Sequence, residues 1–278
     1  MVGSVALPVV LISRGTMSGG AALARCVAER LSMRCVSRED LVAIVDARGD
    51  HARRVMSSID RAARAYEQFS QYRRPYLVLM RYALLCFVRE GNVVYHGYSG
   101  HLLLPGLPCC LRIRINAPMG MRVRNAMERL SLSEAEAREA VLQEDDAHVR
   151  WGRFMYGRDI REPNLYDVCF SVERMPIPAI CTMVAGALRE PELQPCAAAL
   201  EAVEDLFLAS SVEAALASDP RTAGVEVAAV ARGGEVRLEG PYLPPERRSE
   251  LVGIARAVRG VSNVDYQPGC APSFALAP

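Results

Sequence analysis

Apolar positions near the start of the chain form a short run and then a helical stripe. Val9 to Ile12 is continuous and apolar, Ser-Arg-Gly-Thr-Met-Ser-Gly-Gly follows, and Leu23, Val27 and Leu31 then recur every four residues. This pattern predicts a buried strand beginning near Val5, a glycine-containing loop and a helix. Met33–Val36 reads as a short strand. Ser37, with Asp40 three residues on, caps a helix to about Ala47 that ends near Gly49. Residues 50–74 are arginine-rich, with Val55, Ile59, Ala62, Ala63, Tyr66 and Phe69 at helical spacing. Pro75 is expected to interrupt, and Tyr76 to Arg89 to form a mostly buried helix.

Val93–His96 reads as a strand, followed by Gly97-Tyr98-Ser99-Gly100. Leu111 to Ile115 alternates apolar and charged, as a strand does, and Pro118 to Leu130 is a helix. Ser133 and Glu136 form a capping box for the next helix, which runs through Leu142 to about Trp151. Arg153 to Tyr166 reads as irregular, Asp167 to Val172 as a last strand and Pro178 to Leu188 as a helix. Strands alternating with helices predict an α/β fold with a parallel sheet and helices on both faces. A break is expected at Pro191–Pro195, then a helical connector over 197–209. The tail reads as helix (Val212–Ala217), strand, Gly233-Gly234, strand, helix (Glu246–Val258) and strand (Val261–Tyr266). That is a small αββαβ unit with a glycine hairpin. The expected division is 1–190, a connector 191–209, a small domain 210–268 and a tail 269–278.

Composition changes this picture in three ways. With 51% hydrophobic and 23% charged residues, the chain can bury a sizeable core. All 33 basic residues are arginine, so no lysine is available anywhere. Net charge is +1, which argues against bulk nucleic-acid binding, but residues 1–190 carry 26 arginines against 20 acids and residues 191–278 carry 7 against 12. A basic first part suits an anionic ligand. Nine cysteines without a CxxC pair read as reduced core residues of a cytoplasmic protein. The N-terminal apolar run lacks a charged flank and is too short to span a membrane.

Strand, glycine loop and helix form the arrangement that holds a phosphate, because loop amides and the helix N-terminus converge on one place. The candidate binding positions are Ser13, Arg14, Gly15, Thr16, Met17, Ser18, Gly19, Gly20 and Ala21. The G-x-x-x-x-G-K-[ST] pattern places lysine on the outer phosphates and a hydroxyl on magnesium. Aligned on Gly19, this chain has Gly20 and Ala21 there instead.

Several segments, in order, resemble the cytidylate-kinase-like family, a nucleoside monophosphate kinase branch of the P-loop proteins. They are ISRGTMSGGAALA, SREDLV, GNVVYHGYSGHLLLPG, LRIRINAPMGMRVRNAMERLSLSEAEA and DDAHVRWGRFMYGRDIREPNLYDVCFSV, together about residues 5–190. The family loop reads close to S-R-x-x-G-S-G-G, so Gly20 is a family-like feature. Met17 stands at the family's first loop glycine, and Gly97-Tyr98 replaces its usual Gly-Arg. The tail resembles a BON domain, through VRLEG and RAVRGVSNVDY.

The resemblance implies ATP or another nucleoside triphosphate, Mg2+, and a nucleoside monophosphate or other small anionic acceptor. It implies lid arginines closing over the transferring group. Arg122, Arg150 and Arg153 are the candidates for that work, with Arg124 beside the nucleotide. Arg150 follows Asp146 by four residues, which equally describes an exposed ion pair worth about 0.3–0.5 kcal/mol. Asp145 and Asp146 could help place a metal but are expected rather on a solvated helix face, and His51 and His148 on the surface. The arginines and aromatics of 50–74 fit either an acceptor-binding insertion or an amphipathic helix pair. Ser99 and His101 lack an acidic partner, which excludes a hydrolase. Three functions remain open: a phosphotransferase, a non-catalytic nucleotide- or anion-binding regulator whose BON-like tail docks to a protein or a membrane surface, or a structural interaction protein whose loop is vestigial.

Overall fold

The structure, a computed structural model, describes residues 8–61 and 70–269. The expected strand start at Val5, the helix positions Ala62, Ala63, Tyr66 and Phe69, and Cys270 lie outside the described residues. In chain order the elements are β1 (Val9–Arg14), α1 (Gly20–Leu31), β2 (Arg34–Val36), α2 (Arg38–Asp46), α3 (Asp50–Arg61), α4 (Ser70–Glu90), β3 (Val93–Gly97), β4 (Cys110–Asn116), α5 (Met119–Leu130) and α6 (Glu134–Tyr156). They continue with β5 (Val168–Ser171), α7 (Ile177–Ala187), α8 (Ala197–Ser218), β6 (Ala228–Arg232), β7 (Glu235–Gly240), α9 (Pro245–Arg256) and β8 (Asn263–Pro268).

The chain forms two compact units. One holds the residues up to Arg38 and Glu90–Pro195; the other holds Glu39–Arg89 with the chain from Cys196 on. In the first unit five parallel strands lie in the order β2-β3-β1-β4-β5. This is the P-loop kinase-like α/β layout expected from the alternation of strands and helices. Val10 and Ile12 of β1 pack with Leu23 and Val27 of α1 and Ile180 and Val184 of α7 in one core. Val9 and Leu11, pointing the other way, are equally buried, as a central parallel strand requires. Ser13 pairs in register with Gly97 and Arg114, so the carboxyl ends of β1, β3 and β4 meet at one edge. Open parallel sheets bind ligands at that edge.

The second unit holds a three-stranded sheet in the order β6-β7-β8. Gly233 and Gly234, with φ of +54° and +95°, make the β6–β7 turn that two-residue hairpins favour. β7 and β8 run parallel, joined through α9. Leu208, Val212 and Leu216 of α8 pack with Val236, Leu238, Leu251 and Ala255. The αββαβ order is as expected.

Three local expectations are corrected. α4 runs through Pro75: the proline is six residues in, and the carbonyl whose partner it removes belongs to exposed Gln71, where water can replace the lost bond. α6 continues to Tyr156, where Gly157 at φ +67° ends it, so Arg153 is helical. α8 is one uninterrupted helix where a connector and a separate helix were expected. The eight described cysteines are all free. No described helix is long and apolar enough to cross a membrane.

Candidate functional site

β1 ends by delivering Ser13 and Arg14 to the carboxyl edge of the sheet. Ser13 Oγ donates to the Tyr98 carbonyl at 2.7 Å and lies 3.2 Å from the Tyr166 hydroxyl. The Gly15 N–H donates to the Ile115 carbonyl at 3.0 Å. A Cβ on Gly15 would stand 2.6 Å from Asn116 Oδ1 and 2.8 Å from Ser18 Oγ, so a larger residue would push those side chains aside. Gly19, at φ +82°, is the N-cap of α1. The first-turn amides of α1, at Gly20 and Ala21, have no intrahelical partner and give the helix start its partial positive charge. Such a helix start favours an anion.

Met17 adopts φ +58°, a conformation glycine takes freely. Its carbonyl accepts from Asn125 Nδ2 at 2.9 Å. Its side chain packs on the apolar cluster of Val123, Ala126, Ala137 and Val141 between α5 and α6. The bulk that replaces a loop glycine therefore ties the loop to the α5–α6 hairpin.

Arg122 completes that tie. It is 6% exposed, and its Nε donates to the Thr16 carbonyl at 2.7 Å. Its Nη2 donates to Asp145 Oδ2 at 2.5 Å, while Asp145 Oδ1 accepts from the Thr16 N–H at 3.3 Å. Burial pushes the Asp145 carboxyl up, but hydrogen bonds from Arg122 and Thr16 and the charge of Arg122 outweigh it and hold it below its usual range. Asp145 is thus a partner of the loop, which corrects its assignment to a solvated face. Asp146 is exposed, as expected, and pairs with Arg150.

His148 is also corrected from the surface. Its ring stacks on Tyr98 with centroids 3.3 Å apart, and Nε2 lies 3.1 Å from Glu144 Oε1. Burial pushes its pKa down to about 4, so it is neutral at pH 7. His101 is more deeply buried, with neither ring nitrogen hydrogen-bonded, and burial pushes it down to about 3.

Two clefts open against this loop. The first, about 670 Å³, is lined by Arg14, Met17–Ala22, Arg25, Tyr98, Arg129 and Glu144, with Ala126, Leu130 and Val141 as an apolar wall. The second, about 550 Å³, is lined by Arg14, Gly15, Arg114, Asn116, Arg122, Asp145, Asp146, His148, Arg153 and Arg161. Arg14 borders both. Its Nη1 is 2.9 Å from His96 Nδ1 and its guanidinium lies 4.9 Å from the Tyr98 ring centre.

The sequence candidates Arg14 to Ala21 converge here, with Ser13 behind them. Arg153 borders the second cleft while pairing with Asp159, which also pairs with Arg161; those contacts, Arg161 foremost, hold the Asp159 carboxyl well below its usual range. Arg124 is exposed and borders neither cleft; Arg150 lines neither, but its exposed partner Asp146 borders the second. Sequence reasoning missed Asp145, His148 and Asn125. A signal existed: Asp145 and His148 sit on the stripe that carries Ala137, Val141, Val149 and Gly152, all buried. Polar groups on an apolar stripe seek partners.

Residues 9–174 match the model of the cytidylate kinase-like family. No curated protein matches the chain. Among solved structures, an uncharacterized protein from Eubacterium ventriosum ATCC 27560 is 16% identical, with TM-score 0.49, over 66% of this chain and 99% of that one. Shikimate kinase from Bacteroides thetaiotaomicron is 13% identical, with TM-score 0.39, over 66% and 99%. TT1252 from Thermus thermophilus is 16% identical, with TM-score 0.43, over 66% and 98%.

Proposed function

The chain belongs to the cytidylate kinase-like family, and from that premise we propose that it is a phosphotransferase. It binds ATP or another nucleoside triphosphate on the Gly15–Ala21 loop and passes a phosphoryl group to a nucleoside monophosphate or other small anionic acceptor. The observation that carries this reading is that two clefts meet at the loop and share Arg14. Phosphoryl transfer needs donor and acceptor held in line with the developing charge neutralised, which two basic clefts meeting at one anion cradle favour. Glycine amides hold the phosphate chain. Arginines, with their fixed donor fork, orient the transferring group.

The family brings Mg2+ with the nucleotide. The side chains at the loop do not suit it: Ala21 lacks a hydroxyl, β3 ends in His96 and Gly97, and Asp145 is engaged by Arg122. No group of three metal-ligating side chains occurs among the described residues.

Mixing single triphosphates with a panel of monophosphates and other small anions, and following diphosphate formation, tests the proposal. Turnover with at least one pair is expected. A second reading is a non-catalytic nucleotide- or anion-binding regulator, favoured by the Asp145 carboxylate already bound to a loop amide. On that reading the αββαβ unit, as a BON-like module, docks to a protein or membrane surface. Tight triphosphate binding by calorimetry, indifferent to magnesium and without turnover, would select it. A cytoplasmic location fits either reading.

A further inference from the structure

We propose that Arg14, at the end of β1, supplies the phosphate-binding cation that such loops ordinarily carry as a lysine at the start of the following helix. The inference rests on the nucleotide reading above and adds the means by which a lysine-free chain meets its charge requirement.

The first observation is steric. Gly20 occupies the lysine place. A Cβ there would stand 2.7 Å from Arg14 Cδ and 2.8 Å from Arg14 Cβ. The second contact cannot be relieved by swinging a flexible end aside, because Arg14 Cβ is fixed to the backbone. The stem of Arg14 therefore fills the space through which a side chain on residue 20 would leave. Glycine at 20 and arginine at 14 are one arrangement: the cation has moved from one side of the loop to the other.

The second observation is electrostatic. Arg122, Arg153 and Arg161 at the second cleft each pair with a carboxylate. Arg14 does not; among the described residues its polar contacts are His96 Nδ1 and the Tyr98 side chain, whose ring lies beside its guanidinium. An imidazole and a phenol ring position a guanidinium without cancelling its charge. Half-buried, bordering both clefts and next to the loop amides, this guanidinium, not paired with a carboxylate, suits a phosphate chain lying across the loop.

Moving the charge back is the test. The full-length protein is titrated calorimetrically with ATP and, separately, inorganic pyrophosphate, as wild type, Arg14→Ala, and Arg14→Gly with Gly20→Lys, since only glycine at 14 also removes the Cβ that blocks residue 20. Arg14→Ala should weaken both ligands about ten- to hundredfold, the span for losing hydrogen bonds to a charged group. Its melting temperature should stay near that of wild type. In the double variant the lysine enters the space that Arg14 vacated, and binding should return most of the way. Arg14→Ala binding as wild type does, or a folded double variant no tighter than the single, overturns the inference while leaving the nucleotide reading intact. A wild type that binds neither probe overturns both.

Discussion

Two arginines flank the Gly15–Gly19 loop and sit in opposite electrostatic situations. Arg122 is buried, with a loop carbonyl on Nε and a carboxylate on Nη2. Arg14 is half-buried and, among the described residues, contacts Tyr98 and His96 and forms no ion pair with a carboxylate. The first has its charge matched within the protein, so its chief effect is to hold the loop against α5 and α6. The second has charge to offer a ligand. Its family position ranks Arg122 with the lid arginines as a catalytic candidate, and it borders the second cleft; its partners give it the further work of tying the loop to α6.

Stability measurements can break that comparison. Arg122→Ala removes one partner of a buried pair and leaves the Thr16 carbonyl and Asp145 without their donor. A loss of about 3 kcal/mol in urea unfolding is expected, at the low end for buried pairs because Asp145 is a third exposed. Arg14→Ala in the same assay should cost under about 1 kcal/mol. Equal costs would erase the distinction between tie and free cation. Gly15→Ala should come next, at about 2 kcal/mol, since its Cβ would drive into Asn116 and Ser18.

A pH series sharpens the same contrast. His148 and His101 are held neutral, with pKa values pushed down to about 4 and about 3. Below the ordinary histidine value the unfolded chain binds protons that the folded protein refuses. Stability should therefore be fully present above about pH 6.5 and fall as pH drops toward 4, by up to about 3 kcal/mol per histidine. His101→Phe should flatten part of that slope. The smallest effect is expected at Met17→Gly, where release of the left-handed backbone, about 1 kcal/mol, is offset by lost packing on the α5–α6 cluster.

Much of this was legible because its causes are local. The run Val9–Ile12, the Gly19 start of α1, the Ser133–Glu136 capping box and the Gly233-Gly234 hairpin each depend on neighbours within a few residues. What was hidden depends on partners far away in sequence. Asp145 looks like a surface acid until Thr16 and Arg122 are placed beside it, and His148 until Tyr98 lies across its ring. The steric link between Arg14 and Gly20 is invisible in a loop read as a string, because it needs the turn that brings β1 back against the first turn of α1. Pro75 failed as a helix stop because a helix tolerates one missing donor where water reaches the stranded carbonyl.

The partition of the chain into its two compact units bears on how the protein is made. The polypeptide crosses from one unit to the other three times, at 38/39, 89/90 and 195/196. On a ribosome, neither unit has all its residues when the first crossing emerges. The 39–89 segment waits for α8 and the β6–β8 sheet, synthesised more than a hundred residues later, before its own unit is complete. A nascent chain in that interval exposes apolar helix faces and is a natural client for chaperones. A chain ended by premature termination near residue 195 would carry the loop, both clefts and β1 to β5 intact in sequence, yet leave 39–89 permanently without its unit. Quality control would meet it as a folding orphan.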